Sequence, residues 1–286
     1  MLVCYLFGGI GNQLFQFLSG LNTSKRENIP AIFDESLIFA FKNYHNTRIY
    51  DVFDLKKSIN FKKKEVRFLI FLKIKKFILD IFRFFNLSSC VISEKNYHNK
   101  ITTRCDHHQY GYFQDPIFIK NNLLNIKKIL FFKKSFFKIK NFKEISKAKN
   151  SVSLHIRRGD YVSQSGKKKY VILDKNYYKN AISLMKKKLQ NPIFFVFTDD
   201  HKYSSFFLKK IFNKERYKLI YNTTGNQDFF LMSQCKNFII SNSTFSWWGP
   251  HFSVSSNKVV ICPKRWFVKD SDNVSNNLIL NTWFQL

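Results

Sequence analysis

The residues with the greatest chemical capacity lie in one string, His155-Ile156-Arg157-Arg158-Gly159-Asp160-Tyr161. Two adjacent guanidiniums offer fixed forks of N–H donors that suit bidentate gripping of phosphate, and Asp160 stands where a charge-assisted bond would orient one of them. Because arginine keeps its proton, the pair also suits negative charge that grows on a departing diphosphate. An isolated Arg-Arg pair is more often a salt-bridged surface feature; its place at the end of an apolar run turns the reading toward a ligand. A second string, Ser241-Asn242-Ser243-Thr244-Phe245-Ser246-Trp247-Trp248-Gly249, reads as a helix amino end whose hydroxyls and backbone amides, at Ser243 and Thr244, face an anion. An N-cap followed by an aromatic packing face explains each residue equally well, and the two roles are compatible.

In Gly8-Gly9-Ile10-Gly11-Asn12-Gln13 the glycines let backbone amides approach a ligand ahead of a helix amino end. The dinucleotide fingerprint is not met, since Leu14 takes its third glycine position, although Asp34 lies near the distance of a ribose-binding acid. Close packing of strand on helix accounts for this loop as well as ligand binding does. Asp199 and Asp200 follow Thr198 without further acids nearby, whereas a hard cation wants several converging oxygens, so no metal is expected. His107 and His108 are adjacent rather than helically spaced, and no GxSxG nucleophile motif occurs.

The elements that must position these groups follow from hydrophobic pattern. Leu2 to Phe7 reads as a strand, the stretch from Asn12 as a helix with Leu14, Phe17, Leu18 and Leu21 on one face, and Ile29 to Phe33 as a second strand. This βαβ opening marks a doubly wound α/β domain. In the second half, strands starting at Ser151, Ile193, Lys218, Asn237 and Lys258 alternate with helices around Tyr177–Leu189, Tyr203–Phe212, Asn226–Cys235 and from Phe245, which predicts another parallel sheet. Ligands bind such sheets at the carboxyl ends of strands, where every string above falls. A chain of 286 residues suits about two domains. The polar stretch Lys143 to Asn150 places their boundary between 148 and 149, giving domains 1–148 and 149–286.

From 66 to 85, Lys73, Lys76, Asp80 and Arg83 recur at helical spacing and leave Ile70, Ile74, Phe77, Ile78 and Ile81 on the other side. This basic amphipathic helix is expected to pack its apolar side on the core and to solvate its lysines, or in addition to rest on anionic lipid. The Lys-rich piece from Leu123 to Phe142 repeats the pattern, and Tyr110 to Pro116 between them is a glycine- and aromatic-bearing loop.

Forty-eight Lys and Arg against 19 Asp and Glu give a net charge of +29, which invites polyanionic partners and is equally what a low-GC genome produces. The basic residues are spread through the chain and no recognition module appears, so a nucleic-acid binder is disfavoured. With 45% hydrophobic residues the chain folds rather than remaining disordered. Cys4, Cys90, Cys105, Cys235 and Cys262 are scattered and lack any CxxC pair, so neither a disulfide framework nor a zinc ribbon is expected, and the compartment reads as reducing. The opening MLVCYLFGG has no basic n-region, which argues against a signal peptide, and the 66–85 stretch is too charged to span a membrane.

GGIGNQLFQF, YGYFQD, HIRRGDYV, FVFTDD, DFFLMSQCKNFIISNSTFSWWG and VVICPKRWF, in that order, resemble the bacterial α-1,2-fucosyltransferases of glycosyltransferase family 11. The resemblance implies an α/β, GT-B-like fold of two Rossmann-like domains with parallel sheets facing across a cleft, the first on the acceptor side and the second holding a GDP-sugar. It implies inverting transfer of L-fucose from GDP-β-L-fucose to O2 of a galactoside in a bacterial surface glycan, with no metal or other cofactor; a different linkage or GDP-sugar is the alternative. By the same resemblance Arg157 and Arg158 grip the diphosphate and Asn12 reaches close to it from the first domain, the three carrying catalysis. His155, Asp160, Asp199, Ser243, Thr244, Phe245, Gly9 and Gly11 would bind the donor, Asp199 near the nucleoside. Tyr112, Gln114 and Asp115 would lie on the acceptor side, where Asp115 departs from many relatives. Residues 36–105 and 117–150 match no motif and would carry acceptor specificity. The general base is not identified; His155, Asp115 and Glu35 are its candidates. The expected location is the cytoplasm, peripheral on the inner membrane face.

Overall fold

Four consecutive apolar residues, Leu2–Tyr5, form β1, and all are buried, as a strand covered on both faces requires. A computed structural model describes residues 1–40, 47–55, 59–62, 69–85, 90–99, 105–213, 215–269 and 277–286. The chain divides into two units, Met1–Phe131 and Phe132–Leu286. In the first, β1 is followed by α1 (Ile10–Glu27), β2 (Ala31–Asp34), β3 (Asn60–Lys62), α2 (Leu69–Phe85), β4 (Val91–Ile92) and β5 (His107–Gln109). The strands pair in parallel in the order β3-β2-β1-β5-β4, so β1 and β5 flank a topological switch point.

The second unit contains β6 (Ser151–Ile156), α3 (Lys175–Lys188), β7 (Ile193–Thr198), α4 (His201–Ile211), β8 (Arg216–Leu219), α5 (Gly225–Ser233), β9 (Asn237–Ile239), β10 (Val260–Cys262) and β11 (Phe284–Gln285). Their order is β8-β7-β6-β9-β10-β11, all parallel, which is the doubly wound order with its switch point between β6 and β9. Val152, Leu154, Ile156, Phe194 and Val196 from the strands pack with Tyr178, Met185 and Leu208 from α3 and α4.

Several expectations are corrected. The units divide at Phe131/Phe132 rather than at 148/149, because Phe132, Phe136 and Phe142 pack on Phe230 of α5 with ring centroids 5.1, 5.5 and 5.5 Å away. Those aromatic contacts outweigh the polar composition of the stretch that follows. For the same reason Leu123–Phe142 is not one amphipathic helix: it is broken into short turns, including Ile126–Ile129 and Lys134–Lys138, as its paired phenylalanines turn onto Phe230. The helix read from Phe245 is two single turns, Thr244–Trp247 and Gly249–Phe252, the second opening at Gly249-Pro250.

α2 forms where its pattern predicts, with its faces reversed. Ile74, Phe77, Ile78 and Phe84 are exposed, and Ile81 is half-buried; the side chain of Ile70 lies outside the described residues. The polar side is the one tied down: Lys75 Nζ donates to Asp34 Oδ2 at 3.0 Å, Tyr110 Oη donates to Asp80 Oδ1 at 2.6 Å, and Arg83 pairs with Glu94 at 3.1 Å. Periodicity finds an apolar stripe but not the fixed partners that decide which side a helix turns inward. Contrary to the expected absence of disulfides, Cys90 and Cys105 are bonded, which removes the cysteine argument for a reducing compartment. They precede β4 and β5, whose parallel pairing brings their amino-terminal flanks together, a proximity that sequence spacing does not reveal. Cys4, Cys235 and Cys262 are free and buried. Among the described residues, no helix is long and apolar enough to cross a membrane.

Candidate functional site

At the switch point of the second unit, the loop after β6 places both arginines among carboxylates. Arg157 Nη2 donates to Asp160 Oδ1 at 2.6 Å, and its Nη1 reaches Asp199 Oδ2 at 2.7 Å. The backbone N–H of Arg158 donates to Asp199 Oδ1 at 2.8 Å, its Nε donates to Asp200 Oδ2 at 3.2 Å, and its guanidinium lies over the Tyr203 ring, 3.4 Å from the centroid. Asp199 thus braces both arginines. Burial works against the charge on Arg157, yet the carboxylates of Asp199 and Asp160 hold its pKa above the ordinary value. The Nε of Arg157 is buried with no hydrogen-bond partner among the described residues, so the fork keeps donor capacity beyond what the carboxylates use.

The loop after β9 meets this one. His155 is buried, with Nδ1 2.8 Å from Ser241 Oγ and its ring 5.6 Å from that of Phe245. Burial first, and then the charge of Arg157, push its pKa down to about 3, so the imidazole stays neutral. Tyr161 Oη donates to the Asn242 carbonyl at 2.8 Å, while Asn242 Nδ2 donates to the carbonyls of Val171 and Trp266. Ser243 Oγ accepts the N–H of Phe245 at 3.3 Å and so caps the turn that carries Thr244. The strings around Arg157 and Ser243, far apart in sequence, therefore converge at one sheet edge.

The switch point of the first unit is built by glutamines. Gly8 holds φ +76°, a conformation that favours glycine, and its carbonyl accepts from Gln13 Nε2 at 2.8 Å. Gln16 Oε1 accepts the N–H of Phe7 at 2.9 Å, and Gln16 Nε2 donates to the Gly111 carbonyl at 3.2 Å, which ties the loop after β1 to the loop after β5. Gln114 Nε2 donates to Asn12 Oδ1 at 2.8 Å, so the start of α1 and the Tyr112–Gln114 segment lie against one another. Asp115 Oδ1 accepts the N–H of Ile117 and caps the turn Pro116–Phe118.

Glu94 organises that segment. Its Oε1 accepts the N–H groups of Tyr112 and Phe113 at 2.7 and 3.0 Å while Arg83 pairs with the same carboxylate. Phe113 sits at φ +51°, unfavourable for a bulky residue, so the turn depends on these bonds. Glu94→Ala is expected to speed amide exchange at Tyr112 and Phe113 roughly thirtyfold, from about 2 kcal/mol of charge-assisted bonding released. Hydrogen exchange read by mass spectrometry measures this; unaltered protection would mean that the turn holds itself.

Sequence reasoning passed over Gln13, Gln16 and Glu94, and also Asp228. In the first turn of α5, Asp228 Oδ1 accepts from Thr223 Oγ1 at 2.6 Å. Burial raises its pKa to about 6, with Thr223 and His201 pulling the other way. His201 opens α4, its Nε2 2.9 Å from the Ile220 carbonyl. Both residues follow strand ends, at the ligand-binding edge of the sheet. A lone Asp in a first turn reads as a dipole complement, which is why sequence alone did not single it out. Of the candidate bases, His155 is too weak to take a proton near neutrality, Glu35 is buried, and Asp115 serves as a cap.

The sequence profile of glycosyl transferase family 11 matches residues 11–286. The chain is 29% identical to the O-antigen biosynthesis glycosyltransferase WbnK of Escherichia coli, over 98% of this chain and 99% of that protein. It is also 29% identical to an α-1,2-colitosyltransferase of Escherichia coli, over 96% of this chain and 94% of that protein. The solved structure of the fucosyltransferase NodZ from Bradyrhizobium is similar with a TM-score of 0.52 at 9% identity, covering 87% of this chain and 91% of that one. The NodZ α-1,6-fucosyltransferase soaked with GDP-fucose gives 0.53 at 9% identity, covering 88% and 92%. At such identity the likeness speaks to the fold, which is GT-B-like, of two Rossmann-like units.

Proposed function

The chain belongs to glycosyl transferase family 11, and from that premise we propose that it moves L-fucose from GDP-β-L-fucose to O2 of a galactoside in a bacterial surface glycan, with inversion. The observation that carries the reading is the braced arginine pair beside the Ser243 turn at the switch point between β6 and β9. Fucosyl transfer passes through an oxocarbenium-like transition state while negative charge grows on the leaving GDP. Arg157 and Arg158 offset that charge, and donors fixed before the reaction need no reorganisation during it. Asp160, Asp199 and Asp200 each hold an arginine, which supports a reaction that uses no metal. Asn12, oriented by Gln114, serves the donor phosphates, and Tyr112, Gln114 and Asp115 serve the acceptor. The cytoplasm, as the supply of nucleotide sugars, is the compartment that fits this chemistry.

Asp199 spends both oxygens on the arginines, so the nucleobase falls more naturally to Asp228. Guanine presents two adjacent N–H donors, which a carboxylate accepts as a pair. With its pKa raised to about 6, Asp228 is ionised above that pH and protonated below it. GDP affinity is accordingly expected to be level above about pH 7 and to fall as the pH drops through 6, approaching tenfold per pH unit once Asp228 is mostly protonated. Asp228→Asn should weaken GDP roughly tenfold or more and flatten the profile. Calorimetric titration of GDP between pH 5 and 8 checks both; an inflection that persists in the variant would assign it to another group.

The identity with a colitosyltransferase over nearly the whole chain favours, as second reading, a donor carrying that sugar. Colitose lacks the 3-hydroxyl of fucose, and a site that hydrogen-bonds a hydroxyl rejects its deoxy analogue strongly. Purified protein is to be assayed in EDTA with a panel of nucleotide sugars and a β-galactoside, following GDP release and locating the new bond by NMR. Transfer from GDP-fucose to O2 is expected; turnover with a colitosyl donor alone would replace the first reading by the second, and dependence on added metal would remove the metal-free chemistry.

A further inference from the structure

The exposed side of α2 is the wrong side for a helix packed on a soluble core. Ile74, Phe77, Ile78 and Phe84 are 50%, 65%, 45% and 72% exposed, and at spacings of three, four and ten residues from Ile74 they make one apolar stripe. Rotation cannot bury it, because the opposite side is fastened at three points along the helix by Lys75 to Asp34, Asp80 to Tyr110 and Arg83 to Glu94. With 17 residues, α2 runs about 25 Å. Lys73, Lys75, Lys76, Asp80 and Arg83 forbid it from crossing a hydrocarbon core but suit a helix that lies along an interface.

We propose that this face docks on an anionic phospholipid bilayer, with Phe77, Ile78 and Phe84 entering the boundary between headgroups and acyl chains. Two properties select that occupant. Lys73 is exposed one turn before Phe77, so a cation stands beside the apolar stripe. A second copy of the chain would bring +29 against +29, whereas an anionic bilayer offers negative headgroups above hydrocarbon and satisfies both chemistries at once. The docking surface is independent of which sugar is transferred.

Flotation of the full chain with vesicles of mixed phosphatidylglycerol and phosphatidylcholine, against phosphatidylcholine alone, tests it. Binding to the mixed vesicles at low salt is expected, weakening as salt rises. The double variant Phe77→Ser, Phe84→Ser should keep its circular dichroism and melting temperature, since both rings are already exposed, yet lower the partition coefficient roughly tenfold or more. The idea is overturned if the wild-type chain stays with the buffer at low salt or if the double variant floats as well as wild type. It is equally overturned if sedimentation velocity finds a dimer that the double variant abolishes, since the occupant is then a second copy.

Discussion

Arg157→Lys should lower kcat by about two to three orders of magnitude, the loss typical of removing one fixed donor from developing charge. The substitution keeps the positive charge and most of the stem, so a residue that merely neutralised its surroundings would tolerate it. What it removes is geometry. Arg157 reaches Asp160 and Asp199 through different nitrogens of one plane, at 2.6 and 2.7 Å, and still presents donors elsewhere. An ammonium is a compact point charge that satisfies one carboxylate well and leaves the other bracing nothing. Because Asp199 also accepts the backbone N–H of Arg158, its displacement disturbs both arginines. The deficit should fall on kcat more than on the KM for the nucleotide-sugar donor, since the leaving group is more negative in the transition state than in the bound donor. Steady-state kinetics with the donor varied measure the split. Turnover near wild type would take the guanidinium out of the chemistry, and a rise in KM alone would make it a ground-state contact.

Which parts of the protein were legible in its sequence follows from the range of the interactions involved. The strands of the second unit, all but Phe284–Gln285, were legible because parallel strands covered on both faces are written as short apolar runs, as at Ser151–Ile156 and Ile193–Thr198. The strings around Gly8, Arg157, Asp199 and Ser243 stood out because each is contiguous and follows a strand. Gln13 and Gln16 lie inside a legible string, yet their partners, Gly8 with Thr47 and Phe7 with Gly111, appear only when loops meet. Glu94 is a sharper case: nothing near it in sequence suggests that its carboxylate shapes Tyr112 and Phe113. The inverted face of α2 has the same origin, since its periodicity is as strong as expected while Asp34, Tyr110 and Glu94, with Leu79 in the core beside them, fix the opposite side inward. The Cys90–Cys105 bond depends on the β4–β5 pairing. Local chemistry could be read, and long-range polar partnership could not.

Gly166→Ala extends that distinction to a residue with no chemistry of its own. Gly166 lies in the short helix Gln164–Lys169, where a Cβ would stand 2.0 Å from the Asp160 carbonyl oxygen and 2.7 Å from that of Tyr161. Both are backbone atoms and cannot swing aside as a flexible side chain would. Ser163 knots the same turn, its Oγ accepting the N–H of Gly166 at 3.0 Å and donating to the Asp160 carbonyl at 2.7 Å. A methyl group there must push the segment bearing Asp160 outward, at a cost of about 2 kcal/mol or more in unfolding free energy. Asp160 would withdraw from Arg157, so activity should fall together with stability. If this is the route, the loss in kcat should match that of Asp160→Asn, and the double variant should be little worse than either single one, because the bond can be broken only once. Urea unfolding with kinetics on the two single variants and the double variant decides the matter. Losses that multiply would mean that Gly166 acts on the site by a path other than the Asp160 carboxylate, and an alanine variant as stable as wild type would mean that the turn has more room than the close approach of Gly166 to Asp160 implies.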